Sequence, residues 1–147
     1  MQLTKIEKVD ADGFKEVYHV DEQGRRQGNY KLFHPNGNIL IDFFLRDNKL
    51  HGKYISYYTN GSKAYVCNFR YGKRHGKFIE YYSNDSKWLE CNYKNGELHG
   101  KEIKYQPNGT KLYEQKYQNG KLIKEIYYTK KKGKRIRKKI IQKINKY

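Results

Sequence analysis

A strict 24-residue period is the feature that most constrains how this chain can fold. Three columns of turn-forming residues recur at this spacing without slippage. The columns are Gly28, Gly52, Gly76 and Gly100; Gly13, Gly37, Gly61, Asp85, Gly109 and Gly133; and Gly24, Asn48, Gly72, Gly96 and Gly120. A unit this short cannot bury an apolar face alone, so successive units must stack against one another to form a core.

Each unit is predicted to be a β-hairpin. Asn-Gly pairs at Asn36, Asn60 and Asn108 supply the positive φ angles that tight hairpin turns require, and those at Asn95 and Asn119 do so at the opposite end. The expected fold is all-β, an elongated single-sheet antiparallel meander that gains one hairpin per repeat. The repeats run over 29–52, 53–76, 77–100 and 101–124, with a divergent first unit over about 5–28 and a partial last unit over 125–133.

Alternation along the strands predicts a packed face and an outward face. Only 36% of the chain is hydrophobic, but 16 tyrosines and 6 phenylalanines can supply a shallow aromatic core. The residues predicted to pack are Ile55, Tyr57, Tyr65, Cys67 and Phe69, then Ile79, Tyr81, Leu89, Cys91 and Tyr93, then Ile103, Tyr105, Tyr113 and Tyr117. The remaining aromatic residues of the strands are expected to point outward.

Two outward ladders of aromatic side chains are candidates for a partner-binding surface. One holds Tyr30, Tyr54 and Phe78, and the other holds His34, Tyr58 and Tyr82, with Lys31, Lys53 and Lys77 close by in the sequence. Stacked aromatic rings interleaved with lysine can hold unstacked bases or an extended peptide. The alternative is that cross-strand aromatic pairs only stabilise the sheet.

The C-terminal segment is strongly basic. The net charge is +17, and ten basic residues with no acidic one lie between Thr129 and Tyr147. Isoleucines at 136, 140, 141 and 144 recur at helical spacing, which predicts a short basic amphipathic helix over 134–147. The residues predicted to bind a polyanion are Lys130, Lys131, Lys132, Lys134, Arg135, Arg137, Lys138, Lys139 and Lys143. The alternative is an end cap whose lysines only keep it soluble.

The remaining polar residues give no sign of catalysis or of a cofactor. His51, His75 and His99 share one column, but consecutive hairpins are about 9 to 10 Å apart, too far for one ion to bridge. The same spacing argues against a disulfide between Cys67 and Cys91, which are expected to be small core residues. No metal site and no enzymatic activity are predicted.

Two cysteines and the absence of an apolar N-terminal stretch are typical of a cytoplasmic protein.

The repeat resembles the MORN (membrane occupation and recognition nexus) repeats, in particular the bacterial variant found in antitoxin-like proteins. The resemblance rests on Tyr93, Asn95-Gly96, His99-Gly100, Tyr105 and Asn108-Gly109, and on the same pattern one and two periods earlier. It implies a scaffold of β-hairpins and a bacterial origin. The chain departs from the pattern at Asn48, Asp85 and Lys124, where glycine is missing.

The function predicted from these features is a non-enzymatic scaffold or regulator that binds nucleic acid or a nucleoprotein complex through its basic, aromatic-lined surface. One alternative is a protein-protein module, such as an antitoxin or inhibitor of a cognate effector enzyme. A third is a peripheral binder of anionic membrane, which the small apolar content of the basic segment disfavours. An open sheet edge also leaves room for pairing with a second copy of the chain.

Overall fold

The computed structural model describes the backbone of residues 1–131 and 134–141 and the side chains of residues 1–128. The described residues form one antiparallel sheet of thirteen strands in sequential order, so the predicted all-β meander is confirmed. The strands are β1 (Thr4–Val9), β2 (Lys15–Val20), β3 (Arg26–Phe33), β4 (Ile39–Arg46), β5 (Lys49–Tyr57), β6 (Lys63–Arg70), β7 (Lys73–Tyr81), β8 (Lys87–Lys94), β9 (Glu97–Leu98), β10 (Gly100–Tyr105), β11 (Lys111–Gln118), β12 (Lys121–Lys131) and β13 (Lys134–Ile141). The strands β9 and β10 both pair with β8 and are separated at His99.

Within the described residues, the secondary structure includes no helix of a length and hydropathy that would cross a membrane.

The turns keep their geometry where glycine is missing from the sequence pattern. Asp85 has a φ of 65° and its backbone N–H donates to Tyr82 O at 3.0 Å, as Gly61 donates to Tyr58 O at 2.9 Å. Asn48 has a φ of 62° in a turn where its neighbour Asp47 is also left-handed. Asn and Asp tolerate this region because their short side chains bond locally to the backbone. Both exceptions therefore preserve the turn.

Two bulges recur in each repeat and fix how the strands face one another. Beside the turn, Tyr57 lies opposite Lys63 whereas Ser56 lies opposite Tyr65, so Ala64 is an extra residue. At the other end, Cys67 lies opposite Phe78 and Phe69 opposite Arg74, so three residues of β7, 75–77, face Asn68. Gly76, in the middle of these three, has a φ of 85°. Extra residues of this kind re-aim side chains relative to the partner strand.

The bulges show that the predicted faces are right for the second strand of each hairpin, which carries Tyr65, Cys67 and Cys91, and wrong for the first strand. Tyr54 lies opposite Cys67, Cys67 opposite Phe78, and Phe78 opposite Cys91, and residues directly opposite each other share a face. Tyr30, Tyr54 and Phe78, which were expected outside, therefore lie on the packed side. We call this side the aromatic face; it carries Tyr18, Tyr30, Phe43, Tyr54, Tyr65, Cys67, Phe78 and Cys91.

The opposite side of the sheet carries residues that were expected in the core. Ile55, Val66 and Ile79 lie opposite one another on β5, β6 and β7, and the row continues through Glu90 and Ile103. Tyr57, Tyr81 and Tyr105, two residues further along their strands, alternate to the same side. We call this side the lysine face, after Lys53, Lys77 and Lys101, which precede the isoleucines by two residues and are exposed.

The core is a ladder of stacked rings that crosses the sheet from strand to strand. The ring centroids of Tyr30 and Phe43 are 4.5 Å apart, those of Phe43 and Tyr54 are 5.2 Å apart, and those of Tyr54 and Tyr65 are 5.5 Å apart. Phe78 continues the ladder at 5.9 Å from Tyr65. Offset stacking of this kind adds to the stabilisation that comes from apolar burial.

The two cysteines lie beneath this ladder as free thiols with exposed fractions of 1% for Cys67 and 2% for Cys91. Burial raises the pKa of Cys67 to about 11 and that of Cys91 to about 12. The prediction that they are small core residues is confirmed, and neither thiol is ionised at neutral pH.

We expect both native thiols to react with iodoacetamide at pH 8 at least about 100-fold more slowly than the urea-unfolded thiols, because burial and a raised pKa each remove reactive thiolate. Mass spectrometry of timed reactions measures the two rates. Equal native and unfolded rates would contradict the burial of Cys67 and Cys91.

The C-terminal helix predicted over 134–147 is wrong for Lys134–Ile141, which forms strand β13 and pairs with β12. Ile136 and Ile140 are four residues apart, a spacing that fits one side of a helix. In β13 the register instead puts Ile140 opposite Ile126 and Ile136 opposite Thr129, with one extra residue between them. The exposed backbone groups along β12 favour the strand, because a sheet edge is a template for further pairing. Residues 142–147, including Lys143 and Ile144, and residues 132–133 lie outside the described part of the chain.

Candidate functional site

The first predicted aromatic ladder is part of the core. Tyr30 and Phe78 are each 8% exposed, and Tyr54 is held between the rings of Phe43 and Tyr65. Burial raises the pKa of Tyr54, which keeps its hydroxyl neutral. These three side chains stabilise the sheet in the way that the alternative interpretation proposed.

In the second predicted ladder, tyrosine hydroxyls form hydrogen bonds to the backbone of the next hairpin. The Tyr58 hydroxyl donates to the backbone oxygen of Tyr81 at 2.7 Å, and the Tyr82 hydroxyl donates to that of Tyr105 at 2.9 Å. His34 Nδ1 accepts from a backbone N–H in its own turn. Of the six aromatic residues predicted to bind a partner, Tyr58 is the most exposed, at 36%. Partner binding by these rings stays a prediction.

The histidine column also has a structural partner. The Nδ1 atoms of His51, His75 and His99 each face the backbone N–H of a residue 20 positions later, at 3.4 to 3.5 Å. Those N–H groups belong to Tyr71, Asn95 and Asn119, the first central residues of the two-residue turns. In the described part of the chain, no three metal-ligating side chains come together. The histidines therefore connect each bulge to the following turn.

The basic C-terminal residues lie on the last two strands of the sheet. Seven of the nine residues predicted to bind a polyanion fall within β12 and β13, and Lys132 and Lys143 lie outside the described residues. The register puts Lys130 opposite Arg135 and Lys131 opposite Lys134. Like charges directly opposite each other destabilise a strand pair. The terminal hairpin therefore concentrates positive charge at one edge of the sheet.

A second basic cluster on the lysine face was not found from the sequence. Lys101 lies opposite Lys116, and Lys116 lies opposite Lys124, so three adjacent strands present lysine side by side. The 24-residue column of Lys53, Lys77 and Lys101 was a visible signal for part of it. The contribution of Lys116 and Lys124 depends on the strand register.

The acidic residues of the lysine face are already engaged. Glu90 accepts from Lys87 Nζ at 2.8 Å and from the Tyr105 hydroxyl. Burial alone would raise the pKa of Glu90, but these two bonds outweigh it and lower the pKa. Glu114 accepts from Lys111 Nζ, and that bond is the main reason why its pKa is lowered. Both carboxylates stay ionised at neutral pH and already have hydrogen-bond partners within the sheet.

Comparison with known proteins identifies the repeat. The family model described as the MORN repeat variant matches residues 26–44, 50–71, 74–95, 98–119 and 110–130, which together cover more than half of the chain. No curated protein matches the sequence. The matched segments contain the stacked rings from Tyr30 to Phe78 and the bulges at Ala64 and Gly76, and this chain therefore belongs to the MORN repeat family, in its variant form.

Proposed function

We propose that this protein is a non-enzymatic scaffold that binds nucleic acid, alone or within a nucleoprotein complex, and that the hairpin β12–β13 is its main charged contact. The observation that carries the proposal is the register of that hairpin. Lys130 faces Arg135 and Lys131 faces Lys134 across the strands, and ten basic residues with no acidic one lie beyond residue 128.

A polyanion would relieve the repulsion within this hairpin. Like-charged cross-strand pairs cost roughly 0.2 to 1 kcal/mol each, and a neighbouring phosphate group turns that cost into a favourable contact. Each neutralised phosphate also releases condensed counterions, which makes the binding strongly dependent on salt. The charge distribution thus favours nucleic acid over a small neutral ligand.

The family supports a binding role over catalysis. MORN repeats generally act as binding modules, and here the repeat residues that recur most strictly serve turns, bulges and the core. The bonds made by His51, His75 and His99 repeat from unit to unit, as expected of structural residues. A sheet of this kind offers an extended surface, which suits a long ligand.

Fluorescence anisotropy with labelled single-stranded RNA, duplex RNA and duplex DNA across a salt series tests the proposal. We expect the variant with glutamine at Lys130, Lys131, Lys134 and Arg135 to lose at least about tenfold in affinity near 0.15 M salt. The slope of log affinity against log salt should fall by about 3 on single strands, at roughly 0.7 per lost phosphate contact.

The matched control replaces four exposed lysines beside the two-residue turns, Lys49, Lys73, Lys94 and Lys121, with glutamine. It removes the same charge and should leave most of the affinity and the slope intact. Lys49, Lys73 and Lys94 lie on other strands of the sheet, and Lys121 lies at the end of β12 away from the paired basic residues. Thermal unfolding followed by circular dichroism checks that both variants fold.

Weak wild-type binding that vanishes near 0.15 M salt, where charges are screened within about 8 Å, would contradict the proposal. It would favour the alternative of an acidic protein partner, as expected of an antitoxin or inhibitor. Affinity capture would then compare the wild type with the variant that has glutamine at Lys130, Lys131, Lys134 and Arg135. The partner would be the protein that the wild type captures and this variant does not.

A further inference from the structure

We propose that Lys101, Lys116 and Lys124 form a phosphate-binding site on the lysine face, and that a nucleic-acid backbone lies across the strands there. This inference rests on the proposed function and adds a second contact, away from the sequence-predicted residues. The three lysines belong to β10, β11 and β12 and are direct cross-strand neighbours in the register. Adjacent strands are about 4.8 Å apart, so the three positions span roughly 10 Å.

The lysines border a shallow cavity of about 260 Å³. Its other lining residues are Glu114, Gln115 and Ile126. Ile126 is buried and forms an apolar floor, whereas Lys101 and Lys116 are exposed. The cavity is therefore open to solvent and bordered by cationic side chains, with room for a phosphate group.

The positive charge of this cluster is not compensated by ion pairs among the described side chains. The ion pairs on this part of the sheet join Lys87 to Glu90 and Lys111 to Glu114, and none includes Lys101, Lys116 or Lys124. Glu114, the one carboxylate in the lining, bonds to Lys111, and the charge of Lys101 contributes only a minor part of the lowering of its pKa. Three cations thus share one carboxylate that already has a closer partner.

The cluster arises from the missing glycine at position 124. In β5 and β7 the bulge has three residues centred on glycine, 51–53 opposite Phe44 and 75–77 opposite Asn68. In β12, Tyr117 lies opposite Leu122 and Lys116 opposite Lys124, so only Ile123 is extra. This shorter bulge pairs Lys124 directly with Lys116 and turns Ile126 toward Glu114 on the lysine face. This departure from the repeat pattern brings Lys124 into the cluster as its third lysine.

A row of donors extends from the cluster toward the middle of the sheet. Lys53 lies opposite Asn68 on β5 and β6, and Lys77 lies opposite Asn92 on β7 and β8, in the same row as Lys101. The row contains no carboxylate over these strands. Lysine and asparagine both donate hydrogen bonds to phosphate oxygens without reading base sequence.

A nucleic-acid backbone fits this row better than a membrane surface does. The row is linear and crosses the strands, which matches a chain of phosphate groups. Its apolar member Ile126 is buried, so the lysines are not flanked there by the exposed apolar side chains that insert into a bilayer. We therefore assign the row to a nucleic acid of low sequence specificity.

The test compares the variant K101Q/K116Q/K124Q with the control K49Q/K73Q/K121Q, which carries the same charge change at exposed positions beside turns. For single-stranded RNA near 0.15 M salt, we expect the affinity of the first variant to fall roughly tenfold. Its slope of log affinity against log salt should fall by about 2, and both quantities should change little in the control. In a parallel titration with inorganic pyrophosphate, the backbone amide resonances of residues 101, 116 and 124 should shift in the wild type, and those of the glutamines at the same positions in the first variant should not.

Each possible failure has a distinct result. An unchanged slope in K101Q/K116Q/K124Q, with binding still lost in the terminal-hairpin variant, would overturn this inference and leave the proposed function standing. A wild type that binds no nucleic acid would overturn the proposed function, and the pyrophosphate shifts alone would then decide whether the three lysines bind phosphate. Binding to vesicles containing anionic lipid that requires these lysines, in place of RNA binding, would overturn the assignment to nucleic acid.

Discussion

The Phe78→Ala variant is expected to lose about 3 kcal/mol of unfolding free energy, the low end of the range for removing a buried phenylalanine ring. Phe78 is 8% exposed and lies directly opposite both cysteines of the core. Its ring lies 5.9 Å from that of Tyr65, and the Arg74 guanidinium lies 5.3 Å from its centroid. The low end applies because a single sheet can relax more readily around a cavity than a closed core.

Urea unfolding followed by circular dichroism measures this loss. The matched control is Phe44→Ala, which removes the same ring from a side chain that is 38% exposed, and it should cost under about 1 kcal/mol. Equal losses in the two variants would contradict the placement of Phe78 in the core. Unchanged stability with a loss of RNA binding would instead restore Phe78 as the partner-binding residue predicted from the sequence.

The turns could be predicted from the sequence because their chemistry is local. Positive φ angles need glycine, asparagine or aspartate, and the three columns supply these residues at each period up to the exception at Lys124. Even Asp85 and Asn48 conform, with φ angles of 65° and 62°. Hairpin number, strand order and repeat boundaries follow directly from turns of this kind.

The faces could not be predicted because they depend on the register between strands. The extra residue Ala64 changes the pairing from Tyr57 with Lys63 to Ser56 with Tyr65. A slip of one residue exchanges the two faces of a strand, and both faces of this sheet contain tyrosine, so hydrophobicity does not distinguish the two registers. The predicted packing of Tyr65 and Cys67 was right, whereas Tyr54 was placed on the wrong side.

The candidate site was predicted in its charge but not in its geometry. The basic residues beyond Thr129 are visible in the sequence, yet the pairing of Lys130 with Arg135 requires a strand where helical spacing suggested a helix. The cluster of Lys101, Lys116 and Lys124 depends on a bulge that is one residue shorter than its counterparts. Both features follow from pairing at a sheet edge and in a bulge, which residue spacing alone does not define.

The Gly76→Val variant is expected to lose about 2 kcal/mol or more of unfolding free energy, because a β-branched residue is poorly tolerated at a φ of 85°. Space is not the obstacle, since a Cβ atom at position 76 would meet no other atom within 4 Å. The cost is therefore conformational. The chain would either accept the strained φ angle or shorten the bulge as β12 does at Lys124.

Lys124→Val is the matched control, because Lys124 occupies the same repeat position without a positive φ angle in the described backbone. Its unfolding free energy should stay within about 0.5 kcal/mol of the wild type. Both responses of the Gly76 variant loosen the packing of Phe78 against Cys67 and Cys91, so the two thiols should react faster with iodoacetamide. Equal stabilities of the Gly76 and Lys124 variants, with slow thiol reaction in both, would show that the bulge does not require glycine and that another feature sets the register of β7.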